Sequence, residues 1–348
     1  MKTHRGLDHI AFTYLHDSIY TFFVKSLPIL GIVILTSPVL QGCSFTEVET
    51  RSSVKIAVRK HSSVPIRTID AFVFNDDAIG RLDCYQRIDG FTGNEVHIGS
   101  CRGNKVAVLC ANAPWDRMEW SDIYSLHKTG ELKIELEDED PDWPVMTSVI
   151  HFRAGEDTQL TMERLTGEVV LRSINCDFSG KPYAGESITD AKVYLTNING
   201  TYSILPSENE TIERVINHGS LIMDDINFFK KPTSILKIVG TISSTIIYPK
   251  IRLLCYPNTS SEESAGTPFT RLVIEGKIQG ETWYWPININ RGQGNDHEGV
   301  ERNMRYIYDI TIRTKGTKDP DAPIIAHMAE TIFEIEEWDK KDSYHIAF

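Results

Sequence analysis

The sequence predicts an all-β protein of two sandwich domains in tandem, and three observations carry that expectation. Apolar and β-branched residues recur in short runs of period two. Clusters of Gly, Asp and Asn break the runs at spacings of about 10–20 residues. No helical period of useful length lies between most of them, which argues against βαβ units and for strands that pack sheet on sheet. The first run, "VKIAV" (54–58), sets Val54, Ile56 and Val58 on one face and Lys55 and Ala57 on the other. "TIDAFVF" (68–74) is β-branched and aromatic, and "NDDAIG" after it is turn chemistry. "LDCYQRI", "NEVHIG" and "NKVAVLCANAP" follow. One short helix is expected in "WSDIYSLHKTGEL" (120–132), capped by Ser121 or Asp122 and ended by Gly130. The later runs are "EVVLRSI", "DAKVYLTNI", "SILKIVGTI", "KIRLLCYP", "FTRLVIEGKI", "YWPININ", "RYIYDITIR" and "TIFEIEEW". About seven strands precede residue 155 and about eight follow it. The polar, turn-rich "FRAGEDTQLTMERL" (152–165) sets the join near residue 155, giving domains 43–155 and 156–348. "DFSGKPYAGES" (177–187) is the alternative join.

Upstream of the strands, "KSLPILGIVILTSPVLQGC" (25–43) carries one charge, Lys25, and then none, and the chain turns polar directly after Cys43. The run falls short of the roughly 20 apolar residues a bilayer span needs. A basic flank, an apolar centre and small residues before a cut are the anatomy of a secretory signal. Leu40, Gly42 and Cys43, at −3, −1 and +1, resemble the lipobox of bacterial lipoproteins, in which that cysteine is diacylated and becomes the new N-terminus. Residues 1–42 are then a signal peptide; an ordinary signal with an incidental cysteine is the other reading. The leader is long and contains Asp8 and Asp17, which fits a translation start downstream of Met1.

A formal net charge of −12 argues against a nucleic-acid partner, which selects basic faces. With Cys43 assigned to lipid, Cys84, Cys101, Cys110, Cys176 and Cys255 remain, with no CxxC spacing to hold a metal. Cys84 and Cys101 could pair across neighbouring strands in an oxidising compartment, or all five stand as isolated thiols. There is no GxSxG elbow, no HExxH, no glycine-rich phosphate loop, and the histidines are scattered without ligand spacing. No enzyme, metal or cofactor is expected. "ELEDEDPDW" (135–143) gathers oxygen ligands but lacks EF-hand spacing, so a solvated acidic loop is the simpler reading. "GNDHEG" (294–299) is a loop with metal-type residues and nothing further. "ETWYWPININ" (281–290) raises glycan contact through Trp283 and Trp285, although alternation sends part of the set into a core.

Several pieces, in order, resemble one family. "TIDAFVFNDDAIGRL" resembles the early strand and turn of the Bacteroidetes-type fimbrillins, the subunits of type V pili, and "GNKVAVLCANAP" their following strand ending in Ala-Asn. "WPVMTS" (143–148), "MERLTGEVVLRSI" and "VYLTNI" (193–198) are similar to later elements. "WYWPININ" followed by "GVERNMRYIYDITIRTKGTKDPDAP" resembles their Tyr-Pro, Arg-Asn-x-x-Tyr and Gly-x-x-Asp-Pro signatures. The Cys-to-first-strand segment is short, and "RLTGEVVL" has Gly-Glu where members often carry a basic residue.

The resemblance implies two transthyretin-like sandwiches, export as an outer-membrane lipoprotein, and partnership with other fimbrial subunits by donor-strand exchange. It also implies a host or bacterial surface ligand. In shaft subunits an arginine-specific protease removes the lipid and the first strand, and the opened groove takes a strand from a neighbour; anchor subunits keep both. Here the groove-filling residues would be Val54, Ile56 and Val58, and the candidate processing residues Arg51, Arg59 and Arg67. A cut at Arg51 would leave the strand in place, Arg59 sits at the strand's end, and a cut at Arg67 would excise lipid and strand together. The short spacing favours a minor or anchor subunit. "TIFEIEEW", with Phe333 and Ile335 alternating with Glu334 and Glu336, is either a donor tail or the last strand of its own domain. A glycan-binding surface lipoprotein is the alternative function.

Overall fold

The computed structural model describes residues 52–59, 65–115, 120, 122–205, 211–291, 298–324, 328–337 and 343–347. Strands make up 50% of it and helix 6%. The first nine strands are β1 (Ser52–Arg59), β2 (Thr68–Asn75), β3 (Leu82–Asp89), β4 (Glu95–Ser100), β5 (Asn104–Ala111), β6 (Lys133–Glu135), β7 (Met146–Arg153), β8 (Thr158–Thr161) and β9 (Glu163–Arg164). Next come β10 (Gly167–Cys176), β11 (Ile188–Thr196), β12 (Ile198–Asn199), β13 (Thr201–Ser203), β14 (Val215–Ile216) and β15 (Leu236–Ile242). The last are β16 (Ile251–Cys255), β17 (Arg271–Ile278), β18 (Glu281–Asn288), β19 (Met304–Ile312), β20 (Ala329–Glu337) and β21 (Ser343–Ala347).

Two pairs of sheets organise these strands. In the first, a three-stranded sheet of order β4-β1-β8 covers a five-stranded sheet of order β3-β2-β5-β7-β9. Val54, Ile56, Val96, Ile98 and Leu160 of the small sheet share a core with Ile69, Val73, Ala107 and Leu109 of the large one. In the second pair, β16-β10-β19-β20-β21 packs on β15-β11-β17-β18 through residues such as Leu171, Tyr308, Val193 and Ile274. Antiparallel pairing dominates; β1 with β8 and β10 with β19 run parallel. The sequence sets the join near residue 155, while β8 and β9 continue to pair in the first sheets as far as Arg164.

Strands β2 and β5 carry near-continuous apolar runs because both of their faces are covered. Ile69, Ala71 and Val73 point into the first core. Phe72 and Phe74, with Val108 and Cys110 of β5, join Trp120, Ile123, Ile134, Leu136 and Val145 from the long crossover. That second cluster runs without a break into the other sheet pair through Leu165, Tyr202 and Tyr256. Backbone pairing follows the same route, since β6 zips onto β13 and the Leu136 N–H donates to the Gly200 carbonyl at 2.9 Å.

The crossover helix α1 (Leu126–Gly130) starts later than the sequence suggests. Ser125, not Ser121 or Asp122, caps it by accepting the Lys128 N–H at 3.2 Å, and Gly130 is its last residue. Cysteines 84, 101, 110, 176 and 255 are not joined in disulfides, so Cys84 and Cys101 do not pair covalently. The Gly-Glu departure in "RLTGEVVL" has a local reason. Glu168 is buried and takes Arg305 of β19 at 2.7 Å and Arg252 of β16, so one carboxylate ties three adjacent strands. Strand β20 pairs with β19 over nine residue pairs and seats Phe333 against Tyr308, 4.7 Å between centroids. "TIFEIEEW" is thus a strand of its own sheet here.

Gly316 shows why the Gly-x-x-Asp-Pro element needs its glycine. Thr317 and Tyr284 exchange backbone hydrogen bonds at 2.8 and 3.0 Å, covering the β18 edge. A Cβ at residue 316 would stand 1.9 Å from the Tyr284 carbonyl oxygen. Backbone cannot yield that distance cheaply, so Gly316→Ala is expected to destabilise by about 1–3 kcal/mol, the usual cost of overpacking. Urea unfolding followed by tryptophan fluorescence checks this, and Gly266→Ala, with nothing within 4 Å, should leave the midpoint unchanged.

Candidate assembly site

Strand β1 stands in the middle of its sheet. It pairs antiparallel with β4 from Ser52↔Ser100 to Ala57↔Glu95 and parallel with β8 from Ile56↔Thr158 to Arg59↔Thr161. The alternation read from the sequence holds in space, with Val54, Ile56 and Val58 buried in the core and Lys55 outside, paired with Glu95 at 2.8 Å. Burying three such side chains is worth roughly 5–9 kcal/mol. That is comparable to the whole stability of an ordinary domain, about 5–15 kcal/mol. A first sheet pair stripped of β1 would expose an apolar groove flanked by two unpaired strand edges, the geometry that invites an added strand.

After β1 the described residues resume at residue 65. Ile66 is buried, Arg67 is exposed, and Thr68 opens β2. The Arg67 N–H donates to Asn112 Oδ1 at 2.8 Å, while its carbonyl accepts the N–H groups of Gly90 at 2.7 Å and Phe91 at 3.2 Å. Its guanidinium lies over the Trp143 ring, 4.3 Å from the centroid. Asn112 is the hub: it adopts left-handed backbone (φ 58°) beyond the end of β5, and its Nδ2 donates to Pro144 O at 3.1 Å. Sequence reasoning missed Asn112 and Trp143 as partners of Arg67, although both lie in segments, "CANAP" and "WPVMTS", that it singled out. Cys43 and Arg51 lie outside the described residues. Arg59 ends β1, its side chain also outside that description.

The acidic stretch 135–143 borders this exit, and its carboxylates other than the buried Glu139 are matched by basic side chains. Arg214 bonds Glu135 and Glu137 at 2.7 Å each, Lys230 bonds Asp138 at 2.7 Å, and Lys231 bonds Asp140 and Asp142. Among the described residues no group of three or more His, Cys, Asp or Glu is placed to hold a metal. Trp285 is wholly buried, its Nε1 donating to Thr314 O at 3.0 Å, so its ring offers no face to a sugar. Trp283 is half-buried with the Lys318 ammonium 3.6 Å from its centroid. Residues 292–297, which include most of "GNDHEG", lie outside the described residues.

No family model and no curated protein matches the chain. Solved structures do. A candidate cell-adhesion protein from Bacteroides eggerthii aligns at a TM-score of 0.63 and 15% identity, over 83% of this chain and 96% of that one. A fimbrilin (FimA) from Porphyromonas gingivalis aligns at 0.61 and 16% identity, over 83% and 98%. The chain has the fimbrillin fold. A tip fimbrial protein from the same organism, Mfa3, aligns at 0.51 and 12% identity over 83% of this chain and all of that one.

Where the two sheet pairs of this fimbrillin fold meet, Glu139 is buried, accepting the Val145 N–H at 3.0 Å and the Tyr256 hydroxyl at 3.2 Å. Burial dominates over those two bonds, and Asp140 and Asp138 repel further charge, so its carboxyl is pushed up to about 7 from an ordinary 4.5. The folded state therefore holds a proton that the unfolded chain gives up. The stabilisation is full below pH 4.5 and is lost as pH rises to about 7, by about 3 kcal/mol. In Glu139→Gln this component is expected to vanish. Denaturation midpoints at pH 5 and pH 8 check it: the wild type should lose more stability over that interval than the variant.

Proposed function

We propose that the chain is a structural or adhesive subunit of a type V-like fimbria, acting without catalysis. It is exported as an outer-membrane lipoprotein acylated at Cys43 and displayed at the cell surface in the fimbrium. Its two sandwich domains (43–155 and 156–348, with β8 and β9 completing the first) form a rod segment. Its partners are other fimbrial subunits, met through donor-strand exchange, and a ligand on a host or bacterial surface. The observation that carries this reading is β1: the first described strand, central in its sheet, with an exposed arginine just before the next strand. The likeness to fimbrial and cell-adhesion structures supports the same reading. The glycan-binding alternative loses its sequence basis, because Trp285 is interior and a lysine covers Trp283.

Within that function the chain is a minor or anchor subunit that keeps its lipid and first strand. Support comes from the short Cys43-to-β1 spacing and from the bonds that hold both sides of the Arg67 peptide unit. N-terminal sequencing and intact mass of protein recovered from assembled fibres test this. An acylated Cys43 terminus, with Cys43→Ala released from membranes, is the expected result. A terminus at Thr68 that disappears in Arg67→Ala would make the chain a polymerising subunit instead.

A further inference from the structure

Beside the exit of β1 lies a hollow of about 390 Å³, bordered by Arg67, Asn112, Trp115, Asp138, Asp140 and Trp143. Arg67 lines its rim, with the guanidinium laid over the Trp143 face, and Arg87 and Lys230 border the remaining space. Burial would raise the Asp140 carboxyl, but hydrogen bonds from Lys231 and the Asp142 N–H, with the charges of Lys231 and Arg67, hold it below its ordinary range. Asp140 is therefore ionised, paired with Lys231 and within reach of the Arg67 charge. An aromatic face and a carboxylate together are the recognition chemistry of a planar cation.

We propose that the Trp143 face at the rim of this hollow is a guanidinium site whose ligand is the chain's own Arg67, and that its occupancy closes the Arg67–Thr68 bond to arginine-specific proteolysis. The inference rests on reading residues 65–68 as the exit of the first strand. An arginine-specific protease must draw the guanidinium into its own pocket and hold the residues around the bond extended. Here the guanidinium is already engaged. The scissile carbonyl accepts two N–H groups, the Arg67 N–H is held by Asn112, and Ile66 and Ile69 on either side are buried at 4% and 0% exposure. Cleavage then waits on a local opening that frees the side chain and both backbone groups together, whereas loop tips are ordinarily cut without one. Strand retention becomes a property of the folded subunit, set by Trp143 and Asn112.

Limited digestion of the intact chain with trypsin, read by mass spectrometry, tests the proposal whether or not fibres are processed in cells. Cleavage after Arg67 should run at least about tenfold slower than in the urea-unfolded chain, as local opening requires. Trp143→Leu keeps apolar volume and removes the aromatic face. Asn112→Gly suits the left-handed backbone and removes the side-chain bonds. Each should accelerate the Arg67 cut about threefold or more, the Boltzmann equivalent of one such contact. The buried Arg164 and Arg271, which are reached only when their sheets open, serve as references for global unfolding and should be cut at unchanged rates. The proposal is overturned if wild-type Arg67 is cut as fast as in the unfolded chain, or if neither variant changes its rate. Acceleration at all three arginines alike in both variants would also overturn it. N-terminal sequencing of fibre protein reports separately on the assembly reading, so the two can fail independently.

Discussion

Strands β4 and β8 do not pair with one another; β1 stands between them and supplies one side of every ladder bond in the small sheet. The rest of the first sheet pair depends on that insertion. Its core has two walls, and Val54, Ile56 and Val58 form the middle of one of them. Strand β4 has a second tether at its end. Asp83 of β3 accepts the Ser100 hydroxyl and the Cys101 N–H at 2.8 Å each and pairs with the buried Lys105 at 2.9 Å. Without β1 the small sheet would thus stay attached at an edge while its centre opened. A groove held at its rim and vacant along its floor is what an incoming strand requires.

The other half of the molecule is built to stay closed. Buried clusters run unbroken from the outer face of β2 and β5, through the crossover, into the second sheet pair. Ion pairs reinforce the outer face of its larger sheet: Arg172 reaches from β10 to Asp309 of β19 and Glu334 of β20, and Glu168 binds Arg252 and Arg305. Each pair sets a partly exposed arginine against a more buried carboxylate, and the row across neighbouring strands resists their sliding. The first sheet pair therefore depends on one inserted strand, while the second carries a sheet whose strands are cross-tied.

Period-two alternation made β1 legible residue by residue, because one of its faces is buried and the other solvated. The same signal was weaker for β2 and β5, where cover on both faces removes the polar half of the pattern. The sequence places the α1 cap too early because Ser121, Asp122 and Ser125 all carry oxygen acceptors near its start; Ser125 is the one that meets the Lys128 N–H. Nothing in the order of residues announced that Arg67, Asn112 and Trp143 would meet, since their contacts span separations of 45 and 76 positions. Trp285 illustrates the converse. Its aromatic neighbours suggested a sugar platform, while alternation had already assigned part of that stretch to a core.

Hydrogen exchange read by mass spectrometry on Ile56→Asn tests the dependence on β1 most directly. A polar side chain at that position breaks the core beneath β1 without removing any residue from the chain. The account predicts that amide protection falls in β2, β4 and β8, while β10, β11, β17 and β19 keep theirs. Loss of protection spread evenly over both sheet pairs, or none in either, would contradict it.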